Sequence, residues 1–227
     1  MNANMKSKIV RILIVSCVAM SMLAGGCSGK ETNRTEAESS AALATGNDTA
    51  SEEPAQRDIF AMDTYMTVQE YGEHGEEAVE QAEKEIERLD ALLSTGSEES
   101  EIGIINANGG GELSEDGNYL IQRALELNKE TGGAFDIAIY PVMEAWGFPT
   151  QEFKVPTDEE IQSLLPLTDC SKIDYDKKNG KISFDESGMK IDLGGIAKGY
   201  TSSQIMKIYK DLGVTSGLVN LGGNVQV

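Results

Sequence analysis

The sequence predicts an α+β fold, a mixed, partly antiparallel sheet with helices packed on it. Val79, Ala82, Ile86, Leu89 and Leu93 recur at steps of three and four, which is the spacing of one helix face. Lys172-Ile173-Asp174-Tyr175 and Lys181-Ile182-Ser183-Phe184 flank Lys178-Asn179-Gly180, a hairpin signal that a purely parallel sheet does not contain. A chain of 227 residues with 40% hydrophobic content can bury one core.

Residues 59–227 form the expected domain. Ile59-Phe60-Ala61-Met62 opens it, and Thr64-Tyr65-Met66-Thr67-Val68 alternates as a strand does. The amphipathic helix over 79–93 follows. The polar loop 94–101 comes next, and its Ser and Thr hydroxyls can cap the following turn or touch a ligand. Gly109-Gly110-Gly111 reads as a flexible turn. A helix from Ser114-Glu115-Asp116 through Asn128 stops at Gly132-Gly133.

Ala134 to Tyr140 reads as a strand broken at Pro141. Asp136 sits in that apolar run and needs a partner, because a buried unpaired carboxylate costs several kcal/mol. Trp146-Gly147-Phe148 is either core or the wall of a planar ligand's site. Thr157-Asp158-Glu159-Glu160 is a capping box for a short helix ended by Pro166. After the hairpin come a glycine turn, a helix to Gly213, and Leu218 to Val227 as strand, glycine turn and strand. The final Val225-Gln226-Val227 either pairs within the fold or marks a truncated sequence.

Lys190-Ile191-Asp192-Leu193-Gly194-Gly195-Ile196-Ala197-Lys198-Gly199-Tyr200 is the stretch with the most chemistry. It reads as a strand ending at Asp192, a glycine turn and a helix entrance with Lys198 in its first turn. Backbone N–H groups at a helix start attract anions, and glycines let an anion approach. A carboxylate, two glycines and a lysine suit a phosphate group, with or without Mg²⁺. A plain tight turn with a surface lysine has the same local pattern.

Charge and cysteines narrow the partners. Net charge is 19 − 38 = −19, which argues against nucleic acid. Residues 1–26 carry Lys6, Lys8 and Arg11, then an apolar run from Ile9 to Leu23 that is short for a membrane span. The run ends at Leu23-Ala24-Gly25-Gly26-Cys27-Ser28, which resembles a bacterial lipoprotein signal. Lipid on Cys27 would hold the protein on the extracytoplasmic face of a cell membrane. A plain secretory signal with an incidental Cys27 is the alternative. Residues 27–58 are rich in Ser, Thr, Ala and Glu, and read as a disordered tether. Cys170 is then the single remaining cysteine, so no internal disulfide is expected. His74, the only histidine, lies in an acidic turn where a solvated side chain is expected.

From about Phe60 to Val227 the chain resembles the FAD:protein FMN transferase (ApbE-like) family. The resemblance rests on motifs in register: Ala61-Met62-Asp63-Thr64-Tyr65, Leu92-Leu93-Ser94-Thr95, Ser100-Glu101-Ile102, Thr131 to Asp136, Trp146-Gly147-Phe148, Asp192 to Tyr200 and Val219 to Gly223. It implies Mg²⁺-dependent cleavage of FAD, transfer of FMN to a Thr or Ser hydroxyl of a partner flavoprotein, and release of AMP. It implies FAD contacts at Met62, at Gly96, Ser97 and Glu98, at Ala134, Phe135 and Asp136, and at Asp192 and Lys198. It implies that the Gly195 carbonyl binds Mg²⁺. The family usually has Gly where Asp63 stands and an aromatic residue where Gly96 stands. It also continues past the point matching Val227, with a catalytic His and an Asp and Thr for Mg²⁺, so the 227 residues are expected to be an incomplete, inactive piece. A non-enzymatic flavin-binding lipoprotein and a scaffolding lipoprotein are the competing readings.

Overall fold

The computed structural model describes residues 53–227. The expected signal peptide, Cys27 and most of the expected tether lie outside the described residues. Strand β1 (Ala55–Ala61) begins inside the segment expected to be tether and pairs antiparallel with β2 (Thr64–Glu70). Helix α1 (Gly75–Leu93) lies against both strands, as its apolar spacing predicts. Helix α2 (Glu101–Asn108), strand β3 (Gly110–Glu112) and helix α3 (Glu115–Glu130) follow. After a 3₁₀ turn at Ile137–Ile139 come the short helices α4 (Tyr140–Trp146) and α5 (Asp158–Leu164). The hairpin β4 (Ile173–Asp176) and β5 (Lys181–Phe184) leads to helix α6 (Gly194–Asp211). Strands β6 (Gly217–Leu221) and β7 (Asn224–Gln226) complete the order.

Two antiparallel sheets result, one ordered β1-β2-β6-β7 and the other β3-β5-β4. In the first, Ile59, Ala61, Met66, Val68, Val219 and Leu221 are buried. Helices α1 and α6 pack on one another as well as on this sheet. The core falls into two clusters, and both long helices serve both. Ile86 of α1 and Ile205 of α6 belong to one cluster, Leu89 of α1 and Ala197 of α6 to the other. Met62, in the β1–β2 turn, packs against both clusters. The seam between them therefore runs past that turn and the start of α6.

Four expectations need correction. The run from Ala134 to Tyr140 is not a strand. The Asp136 side chain accepts from Ala138 N at 2.8 Å and starts a 3₁₀ turn, and Pro141 then sits in the first turn of α4, where its missing N–H costs nothing. Gly109-Gly110-Gly111 is not merely a turn, because Gly110 and Gly111 pair with Ser183 and Ile182. A Cβ on Gly110 would stand 2.5 Å from the Ile182 carbonyl oxygen, so glycine is what lets β3 lie there. Residues 189–193 form no strand before α6. Lys198 lies in the second turn of α6, not the first. Elsewhere the predicted elements hold. The capping box at Thr157 has both of its hydrogen bonds, and β7 pairs within the fold.

Candidate functional site

The start of α6 has no side-chain cap from its N-cap residue, Leu193, which is buried in the core. Asp192 instead accepts from Gly194 N at 2.9 Å, while Ile196 N and Ala197 N both donate to the Leu193 carbonyl. Gly195 is exposed and contributes a first-turn N–H. Asp192 is fixed in turn by its own N–H, which donates to the Ile137 carbonyl at 2.8 Å. Burial pushes its carboxyl above the usual range, against the opposing pull of the Gly194 N–H and of Lys198.

Asp192 borders two hollows. The first, about 350 Å³, is walled by the Met62–Asp63 turn, the loop Ser94–Ser97, Phe148, Pro149, Gln151 and Lys198. The second, about 380 Å³, is walled by Gly133 to Ile137 and Gly195. Both are within the size of small-ligand sites. The described residues hold three non-glycine residues with positive φ, namely Met62 (49°), Asp63 (55°) and Gln151 (58°), and all three line the first hollow. Such conformations cost free energy and gather where function or a tight turn needs them. Met62 N donates to Asp90 Oδ1 at 3.0 Å, which ties the strained turn to α1.

The second hollow is built by hydrogen bonds around Asp136. Its carboxylate accepts from Ala138 N, Cys170 N, Cys170 Sγ and Asn128 Nδ2 at 2.7–3.2 Å. That meets the demand for a partner and commits both oxygens to the protein. Thr131 Oγ1 accepts from Phe135 N, and Asn128 Nδ2 donates to the Phe135 carbonyl. Phe135 lies over Gly195, where a Cβ would come 2.9 Å from its ring. Cys170 is buried, and burial followed by the Asp136 bond pushes its thiol up to about 12, so at neutral pH it is a hydrogen-bond donor and no nucleophile.

The structure thus brings Met62, Gly96, Ser97, Asp192 and Lys198 to the first hollow, and Ala134, Phe135, Asp136, Asp192 and Gly195 to the second. Glu98 is exposed and lines neither. Asp63, Asp90 and Gln151 were not singled out by chemistry in the sequence. Only the motif around Asp63 marked one of them. Among the described residues no group of three His, Cys, Asp or Glu side chains is placed to hold a metal ion. Within the described residues, Gly195 and Asp192 therefore make at most part of a Mg²⁺ site.

An α+β protein with a glycine-rich helix start between two hollows is the class that this fold and site define. The family model described as "ApbE family" matches residues 62–227, and the chain belongs to that family. It is 32% identical over 143 residues to an FAD:protein FMN transferase of Klebsiella pneumoniae, covering 62% of this chain and 45% of that protein. A protein of the same description from Haemophilus influenzae is 28% identical over 159 residues, covering 66% and 46%. The crystal structure of the ApbE protein from Thermotoga maritima superposes with a TM-score of 0.71 at 28% identity, over 77% of this chain and 58% of that one. The flavin transferase ApbE of Vibrio cholerae, at 22% identity and a TM-score of 0.68, shares the fold over 77% of this chain and 60% of its own. The chain spans less than half the length of the two curated relatives.

Proposed function

We propose that residues 59–227 hold FAD for an FAD:protein FMN transferase, which passes FMN to a Thr or Ser hydroxyl of a partner flavoprotein and releases AMP. The observation that carries this reading is the shared position of Asp192. It borders two hollows of similar size, with Lys198 on one side and Gly195 on the other. A dinucleotide has two ring systems joined by a pyrophosphate, and that arrangement offers a place for each. Lys198 and the start of α6 oppose the pyrophosphate charge, since an ammonium and a helix N-terminus both favour anions. Transfer at phosphorus depends on positioning and charge neutralisation more than on covalent chemistry by the protein.

Mg²⁺ belongs to the proposal as a partner of the phosphates, with oxygen ligands completed outside the described residues. No catalytic base is assigned to residues 59–227. Cys170 is buried as a thiol, and the one histidine, His74, is exposed at the start of α1. Incubation with FAD, Mg²⁺ and an acceptor protein, read by AMP release and by covalent flavin on the acceptor, tests the reading. Mg²⁺-dependent AMP release with flavin on Thr or Ser supports it. FAD binding with neither product favours a flavin-binding lipoprotein. We also assign Cys27 as a lipid anchor on the extracytoplasmic face. Labelling with a tagged fatty acid should be lost in Cys27→Ala, and unchanged labelling would contradict the assignment.

A further inference from the structure

The Ser100-Glu101-Ile102 motif touches neither hollow, yet its serine is among the few buried polar residues of the described chain, 3% exposed. Its Oγ has two jobs. As an acceptor it caps α2, taking the Gly103 N–H at 2.9 Å. As a donor it faces the carbonyl oxygens of Ser94 and Ser97, the latter at 2.8 Å. Those two carbonyls belong to the first and last residues of the loop that walls the first hollow.

A second feature converges on the same carbonyl. A Cβ on Gly103 would stand 1.9 Å from the Ser97 oxygen, so the loop rests directly on the α2 backbone. A third tie comes from the other side, where Tyr140 Oη donates to the Thr95 carbonyl at 3.2 Å. Capping alone needs only the acceptor role of Ser100. The donor role serves the loop.

We propose that Ser100 is a positioning residue for flavin-nucleotide binding, whose hydroxyl hydrogen clasps the 94–97 loop into the shape of the first hollow. The inference rests on the FAD reading for its consequence and on the loop geometry for its cause. A displacement of about 1 Å in a binding wall is enough to cost orders of magnitude in a positioned reaction.

Ser100→Asp separates the two jobs. Aspartate is as good an N-cap as serine, but when ionised it has no hydrogen to give the carbonyls. Ser100→Ala removes both jobs. Ile102→Val, a core truncation one turn away from the loop, controls for general loss of stability. Each full-length variant is titrated with FAD by flavin fluorescence, and amide hydrogen exchange is followed at Gly96 to Glu99.

The expected result is FAD affinity reduced tenfold or more in Ser100→Asp and Ser100→Ala, with faster exchange confined to the loop. Ile102→Val should stay within about twofold of wild type in affinity. Ser100→Thr, which keeps the hydroxyl, should restore loop protection. Unchanged loop exchange in Ser100→Asp would overturn the clasp, and so would wild-type FAD affinity in that variant. If wild type itself binds no FAD, the flavin reading fails, and the exchange measurement still decides whether Ser100 holds the loop.

Discussion

Asp192 occupies a position where stability and function pull apart. Burial raises its carboxyl pKa in the folded state. A group that binds its proton more tightly when folded stabilises the fold most at low pH, and that advantage is lost as pH rises from the unfolded to the folded value. Above that window Asp192 is therefore a net cost to the fold. Asp192→Asn can still accept the Gly194 N–H and carries no charge. Its melting temperature at pH 7 should exceed wild type by roughly 1–3 °C, as for other relieved functional sites. The gap should close as pH falls through the carboxylate range. Melting curves at the two pH values check this, and a variant less stable than wild type at pH 7 would contradict the assignment of strain. The proposed FAD binding should weaken in the same variant, since the carboxylate borders both hollows.

At the scale of elements, the β1–β2 connection is a two-residue turn with both central residues at positive φ. This is the hairpin geometry whose twist suits adjoining strands, and glycine fits its second position best. Asp63→Gly should raise the urea midpoint by the equivalent of about 0.5 kcal/mol, the left-handed penalty less the entropy that glycine adds to the unfolded chain. A destabilised variant would mean that the Asp63 side chain holds the turn by a contact of its own.

The regular elements were legible because their signals are local. The face Val79 to Leu93, the Asn179-Gly180 hairpin and the Thr157 capping box each announce themselves within a few residues. Ala134 to Tyr140 did not, because its apolar alternation has a strand's period. What overrides that period is the Asp136 carboxylate, which accepts from Ala138 N two residues on and from Cys170 Sγ 34 residues on. The site walls show the same division. Asp192, Gly195 and Lys198 lie in one motif. The Met62–Asp90 tie spans 28 residues, and Gln151 reaches the hollow from a loop with no periodicity to read.

For the molecule as a whole, two core clusters meet at Met62, and both long helices cross from one to the other. The candidate site lies at this seam, beside the Met62–Asp63 turn and the start of α6. The chain as a whole is acidic, with net charge −19, so an anionic dinucleotide is opposed by the general field and must be held by a local cation. Lys198 and Lys207 are both on α6. Lys198 lines the first hollow, while Lys207 borders a different surface depression beside Tyr119 and Tyr200. A general charge effect would weigh the two alike, whereas a built site would not.

The most direct measurement is therefore an equilibrium titration of FAD against the wild-type chain, Lys198→Ala and Lys207→Ala at fixed ionic strength. Saturable binding by wild type, a loss of tenfold or more in Lys198→Ala, and an affinity within about twofold of wild type in Lys207→Ala are the predicted results. Equal losses in the two variants, or no binding by wild type, would contradict a dinucleotide site at the start of α6.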